Sequence, residues 1–170
     1  MIETKEKEIE TIDSANSSSA PSLLKSIKGE YITTHIEQFN FNHPSILNKT
    51  VVLYFYPKDN TPGCTTQAID FRDMYNTFLD KDVVIIGISR DNLKSHNNFT
   101  QKFGLQFNLL CDTDEILCNQ FEVIKQKKMY GKIAKGIQRS TFVYNKNGEL
   151  IHIWRNTKAA NHANKLLDIL

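Results

Sequence analysis

The chain has 170 residues, 40% of them apolar and 24% charged, and a formal net charge of +2. That length builds one domain with a sizeable core, and so small a net charge gives no electrostatic reason to expect nucleic acid or a membrane surface as a partner. No apolar run approaches the ~20 residues a membrane helix needs, and Met1-Ile2-Glu3-Thr4-Lys5-Glu6-Lys7-Glu8 lacks the apolar centre of a secretory signal, so the expected location is the cytoplasm. Residues 1–22 hold five acidic and two basic side chains, a net of −3 that leaves +5 on the remainder. Ser14 to Pro21 is polar and small-residue rich and cannot bury a core face. Residues 1–22 are therefore expected to be a disordered tail, and 23–170 the folded domain.

Residues 23–50 open the domain. Tyr31 to Ile36 is strand-like in composition and Gln38-Phe39-Asn40-Phe41 alternates, which suggests a hairpin or an edge strand. Val51-Val52-Leu53-Tyr54-Phe55-Tyr56 is a continuous apolar and aromatic run ended by Pro57, the pattern of a strand buried on both faces. Ala68, Phe71, Tyr75 and Phe78 then form one stripe of a helix over 63–79. Val83 to Ser89 is a second buried strand, and 92–103 a helix closed by Gly104. Phe107 to Cys111 is a short strand and Glu115 to Phe121 a short helix. Lys125 to Lys135 is basic and polar and reads as a loop. Thr141 to Tyr144 and Leu150 to Trp154 flank Asn147-Gly148, a hairpin signal, and a last helix covers about 159–170. Alternating strands and helices followed by a hairpin imply an α/β fold: a mixed central sheet with helices on both faces. Ligands of such sheets sit beyond the C-terminal ends of the strands.

Cys64 stands at such a strand end, in Pro57-Lys58-Asp59-Asn60-Thr61-Pro62-Gly63-Cys64. Thr61 suits an N-cap and Pro62 the first helical position, so Cys64 falls in the first helical turn. The N–H groups there have no intrahelical partner, the helix end is partly positive, and thiols at such positions ionise more readily than free cysteine. Gly63 leaves room for a close substrate. A buried, inert cysteine is the plain alternative; the proline, the capping threonine and the glycine together argue against it.

These residues resemble the peroxiredoxin family, in its bacterioferritin comigratory protein or peroxiredoxin Q branch. The resemblance rests on Val52 to Thr65 with its Pro57-x-x-x-Thr61-x-x-Cys64 core, Phe71-Arg72-Asp73, Gly87-Ile88-Ser89-x-Asp91, Lys128-Met129-Tyr130-Gly131, Gly136-Ile137-x-Arg139-Ser140-Thr141-Phe142 and Trp154-Arg155. It spans about residues 50–168. It implies a thioredoxin-like fold and thiol-dependent reduction of hydroperoxides, without cofactor or metal. Cys64 would be the nucleophile. Thr61 and the N–H groups near Gly63 and Cys64 would bind the peroxide oxygens. Pro57 would shield the thiolate from bulk water. Arg139, in preference to Arg155, would lie beside Cys64 and donate to the substrate, oriented by Gln67, where many relatives carry Glu.

One departure concerns the second thiol. Many members of this branch carry a resolving cysteine five residues after the first, where this chain has Ile69, or in the next helix, where 92–103 has none. Cys111 and Cys118 read as packing residues. The expectation is a one-cysteine, monomeric peroxidase whose sulfenic acid is reduced by thioredoxin or by glutathione/glutaredoxin. A redox sensor or holdase that oxidises once without cycling is the non-enzymatic alternative. A Cys–His hydrolase is the enzymatic rival, with five histidines available but none tied to Cys64 by a motif. A thiol-disulfide oxidoreductase would need Cys-x-x-Cys, and position 67 is Gln. Zinc is disfavoured because Cys111 and Cys118 lack a paired Cys/His cluster.

Overall fold

The computed structural model describes residues 10–11 and 20–170. The strands are β1 (Glu10–Thr11), β2 (Thr50–Phe55), β3 (Val83–Ser89), β4 (Asn108–Cys111), β5 (Ile124–Met129), β6 (Lys132–Ile137), β7 (Ser140–Tyr144) and β8 (Leu150–Trp154). The helices are α1 (Pro62–Asp73), α2 (Tyr75–Asp80), α3 (Leu93–Phe103), α4 (Ile116–Gln120) and α5 (His162–Leu167). Six strands form one sheet in the order β1-β8-β7-β2-β3-β4, and β5 and β6 pair separately. β2, β3 and β4 run parallel. β7 is antiparallel to β2, and β8 to β7.

β2 lies at the centre of this sheet, and Val51 to Phe55 are each at most 1% exposed. Its alternate side chains enter two cores. Val51, Leu53 and Phe55 meet Phe121, Phe142 and Cys118 on one face, while Val52, Tyr54 and Tyr56 meet Phe71, Phe99, Trp154 and Cys64 on the other. A strand apolar at every position is thus the physical requirement of a layer covered on both sides. Phe71 stacks on Tyr54 with ring centroids 4.6 Å apart, and truncating so buried a ring to alanine costs about 3–5 kcal/mol.

Several elements differ from the sequence reading. The helix expected over 63–79 is two, because the backbone leaves helical geometry at Met74 (φ −99°, ψ 8°). The segment Lys125 to Lys135, expected as a loop, is part of the β5–β6 hairpin, closed at Tyr130 and Gly131 with φ of 52° and 76°. Its side chains are mostly exposed on both faces, so no apolar alternation marks it as strand. Residues 23–49 hold two 3₁₀ turns and isolated bridges rather than a regular hairpin. Thr34 N–H donates to Leu109 O (3.1 Å) and Cys111 N–H to Ile32 O (3.0 Å), so this segment covers the otherwise open edge of β4. The packed domain also begins before residue 23. Ala20 is buried in the core, Pro21 O accepts from Tyr144 Oη (2.7 Å), Ser22 O accepts from Leu150 N–H (2.9 Å), and Glu10–Thr11 pair with β8. The rest of the expected tail, residues 1–9 and 12–19, lies outside the described residues. Among the described residues no helix is long and apolar enough to cross a membrane.

Candidate active site

α1 begins just beyond the C-terminal end of β2. Thr61 occupies its N-cap with extended geometry (φ −83°, ψ 154°). The expected capping bond from the Thr61 side chain is absent; the hydroxyl instead donates to Lys58 O at 2.8 Å. The first helical hydrogen bond runs from Thr65 N–H to Thr61 O. The N–H groups of Gly63 and Cys64 precede it and point out of the helix. A capping side chain would have occupied this position; its turn towards Lys58 leaves the helix start to a ligand.

α1 buries Cys64, Gln67, Ala68 and Phe71, one stripe at helical spacing. Two of these, Cys64 and Gln67, bring polar atoms into that stripe. Arg139, just before β7 and beside the C-terminal end of β2, reaches them: its Nη2 donates to Cys64 Sγ at 3.3 Å and its Nη1 donates to Gln67 Oε1 at 2.6 Å. Cys64 is 2% exposed and Gln67 fully buried. The guanidinium fork thus touches both side chains at once through two separate nitrogens, a planar geometry that a lysine ammonium lacks. Gly63 lies directly beneath it, since a Cβ there would stand 3.2 Å from Arg139 Nη2.

The buried phenol of Tyr54 lies in the same core layer as Cys64. Burial, then the charges of Cys64 and Asp59, push it well above its ordinary value, so it stays neutral. Gly87 makes room for that ring, because a Cβ would meet Tyr54 Oη at 2.9 Å. Behind α1, His162 packs edge-on to Phe71 and its Nε2 meets Thr141 Oγ1 at 2.8 Å. Burial, then Lys165 and Arg139, push this imidazole down to about 3.

Of the residues expected from sequence, Cys64, Gly63, Gln67 and Arg139 come together. Thr61 stands at the helix start above them, and Pro57 is half-buried at the end of β2. Arg155 points elsewhere, donating to Phe121 O and Glu122 O and lying over the Phe142 ring. Among the described residues no histidine is hydrogen-bonded to the Cys64 sulfur, where a hydrolase base would stand. His96 is engaged by Asp59 and Leu110 O, and His162 by Thr141.

All three cysteines are free. Cys118 belongs to the opposite core layer, with the sheet between it and Cys64. Burial and the Asp112 carboxylate push its thiol well up. Cys111 ends β4 and is half-buried; burial, then Asp59 and Asp91, push it up to about 11. Neither sits in surroundings that favour a thiolate.

Residues 22–153 match the AhpC/TSA family. The chain is 49% identical over 120 residues to Peroxiredoxin Bcp of Xanthomonas campestris, covering 71% of this chain and 75% of that one. It is likewise 49% identical over 122 residues to Peroxiredoxin Bcp of Bacillus subtilis, covering 72% and 78%. The solved structure of the X. campestris bacterioferritin comigratory protein aligns with a TM-score of 0.80 at 38% identity, over 90% of this chain and 96% of that one. The fold is therefore that of a thioredoxin-like peroxiredoxin. The chain belongs to the AhpC/TSA family, in its Bcp/peroxiredoxin Q branch of thiol-dependent peroxidases.

Proposed function

We propose that the chain reduces hydrogen peroxide and organic hydroperoxides by a one-cysteine cycle at Cys64. The X. campestris relative is described by its alkyl peroxide reduction activity, in keeping with the apolar surroundings of Cys64 here. The carrying observation is the Arg139 guanidinium, held by Gln67 and bonded to the sulfur at the start of α1.

The Cys64 thiolate attacks the terminal peroxide oxygen. An S–O bond forms as the O–O bond breaks, leaving a sulfenic acid and an alkoxide or hydroxide that takes a proton from water. Sulfur is oxidised and peroxide reduced. Charge moves onto the leaving oxygen, and donors already aimed at that position lower the barrier. Arg139 and the N–H groups of Gly63 and Cys64 supply them, and Thr61 Oγ, its own proton committed to Lys58 O, accepts from the peroxide. Pro57 keeps bulk water from the sulfur.

An external thiol then displaces water from the sulfenic acid, and a second thiol releases Cys64 from the mixed disulfide. Thioredoxin or glutathione/glutaredoxin supplies these thiols, because Cys118 is across the sheet and Cys111 is half-buried on another strand. The protein acts as a cytoplasmic monomer.

The test is hydroperoxide consumption by wild type and Cys64→Ser with each reductant system, with intact mass after one equivalent of peroxide. Turnover in wild type alone, with a gain of one oxygen or a thiol adduct, supports the cycle. Loss of two hydrogens means that Cys111 or Cys118 resolves Cys64. Oxidation without turnover favours a sensor.

A further inference from the structure

Asp59, in the segment between β2 and α1, is 5% exposed yet carries a carboxylate. Three side chains surround it. Tyr56 Oη donates to Oδ1 at 2.6 Å, Ser95 Oγ donates to Oδ2 at 2.9 Å, and His96 Nδ1 meets Oδ2 at 2.7 Å. The other ring nitrogen of His96 lies 3.0 Å from Leu110 O. A carbonyl only accepts, so Nε2 carries a proton, and a further proton lies along Nδ1···Oδ2. Burial and the Asp59 charge push the Tyr56 hydroxyl well up, so it remains a donor. The Asp59 N–H donates to Asp91 Oδ2 at 2.9 Å, which also accepts from Ser89 Oγ at 2.6 Å.

Asp59, Asp91 and His96 bring potential metal-ligand atoms within 4.8 Å of one another. Each of these atoms is already hydrogen-bonded to protein, so the cluster works as a fastening. It joins α3, β4 and the 89–91 segment at a single residue of the β2–α1 connection.

We propose that the Asp59–His96 pair is the positioning element of the peroxide site, an inference that rests on the peroxidase reading above. Asn60 follows with φ of +63°, the left-handed conformation that asparagine adopts readily, so the chain turns sharply just after the fastened residue. Thr61 comes next, with its hydroxyl tied to Lys58 O. Fastening residue 59 fixes residues 58 to 61 from one side and the start of α1 from the other. Thr61 and the N–H groups of Gly63 and Cys64 are then held in one fixed arrangement at the start of α1. His96 touches neither peroxide nor sulfur; it acts through Asp59.

The experiment compares second-order rate constants of Cys64 with hydrogen peroxide and with iodoacetamide. The second reagent needs a thiolate but no aligned acceptors or donors. His96→Leu leaves Asp59 buried without its ring partner, and a small misplacement at the site should slow peroxide about 100-fold while alkylation changes little. His96→Gln, whose amide N–H can reach Asp59, should recover most of the peroxide rate. If His96→Leu does not fold, Asp59→Asn carries the test and should also slow peroxide selectively. Equal slowing of both reagents, or peroxide rates equal to wild type, would overturn the proposal. A wild type that alkylates at Cys64 but ignores peroxide would instead overturn the peroxidase reading.

Discussion

Cys64 and Cys118 occupy equivalent places in two helices: each is the third residue, of α1 and of α4. Both are nearly sealed from solvent, at 2% and 0% exposure. Their surroundings are opposite. At α4 the Asp112 carboxylate accepts from Leu117 N–H (3.0 Å) and Cys118 N–H (2.8 Å), so the helix start is filled by an anion that disfavours a second negative charge. At α1 the corresponding N–H groups are left open, and Arg139 donates to the sulfur. On the peroxidase reading proposed above, a helix start and burial are therefore not enough to make a reactive thiol. What occupies the orphan N–H groups, and which charge stands beside the sulfur, decides it.

The largest effect on this contrast should come from removing the cation. Arg139→Met takes away the donor to Cys64 Sγ and leaves Gln67 Oε1 buried without its partner. Deleting one preorganised donor of this kind costs about 10²–10³-fold, so the peroxide rate constant should fall by that factor. Arg139→Lys restores the charge without the fork and should recover only part of the loss. A fall of less than threefold in Arg139→Met would remove the guanidinium from the reaction.

The same arginine works against His162. This imidazole is held down to about 3 by burial first, then by Lys165 and Arg139. The folded state thus excludes a proton that the unfolded chain binds below about 6.5. Stability on this account is complete above pH 6.5 and is lost as pH falls from there towards 3, by at most ~1.4 kcal/mol per pH unit. Urea midpoints at pH 7.5, 5.5 and 4.5 should show this loss in wild type and a smaller one in His162→Gln. Identical pH dependence in the two proteins would assign the loss to other groups. Gly63→Ala comes next. Its Cβ would stand 3.2 Å from Arg139 Nη2, a flexible side-chain end that can give way by a few tenths of an ångström. The peroxide rate should fall about tenfold, since alignment at the sulfur is lost, with the unfolding midpoint nearly unchanged.

Which parts of this arrangement were legible follows from the range of the interactions. β2 and the start of α1 are written locally: an unbroken apolar run, then Pro57, Thr61, Pro62 and Gly63. Arg139 is not, because an arginine before an apolar strand looks like any surface cation; it entered through the family resemblance. The Asp59–His96 pair escaped because its partners are 37 residues apart and neither residue breaks a local pattern. β5 and β6 were hidden by lysines on both faces and by a Tyr130-Gly131 turn, where hairpin signals normally feature Asn or Asp. Residues 20–22 and 23–49 were hidden because their order comes from β8, β7 and the edge of β4 rather than from their own periodicity.

The smallest effect tests the other side of the contrast. Asp112→Asn keeps one acceptor for the α4 N–H groups and sets an amide N–H₂ against the other, so one hydrogen bond is lost and the anion beside Cys118 disappears. The cost should be about 1 kcal/mol in the unfolding free energy. If a carboxylate were all that silenced Cys118, its alkylation by iodoacetamide should rise towards that of Cys64. The expected result is that it does not. Cys118 remains in its own core layer, packed among Phe121, Phe142 and Leu117, where the Arg90 charge lowers the thiol by less than burial and Asp112 raise it. Burial is the largest cause of its raised thiol, and the substitution leaves burial in place. A Cys118 that becomes as reactive as Cys64 in the folded protein would mean that the anion, not burial or the guanidinium bonded to the Cys64 sulfur, separates the two helix starts.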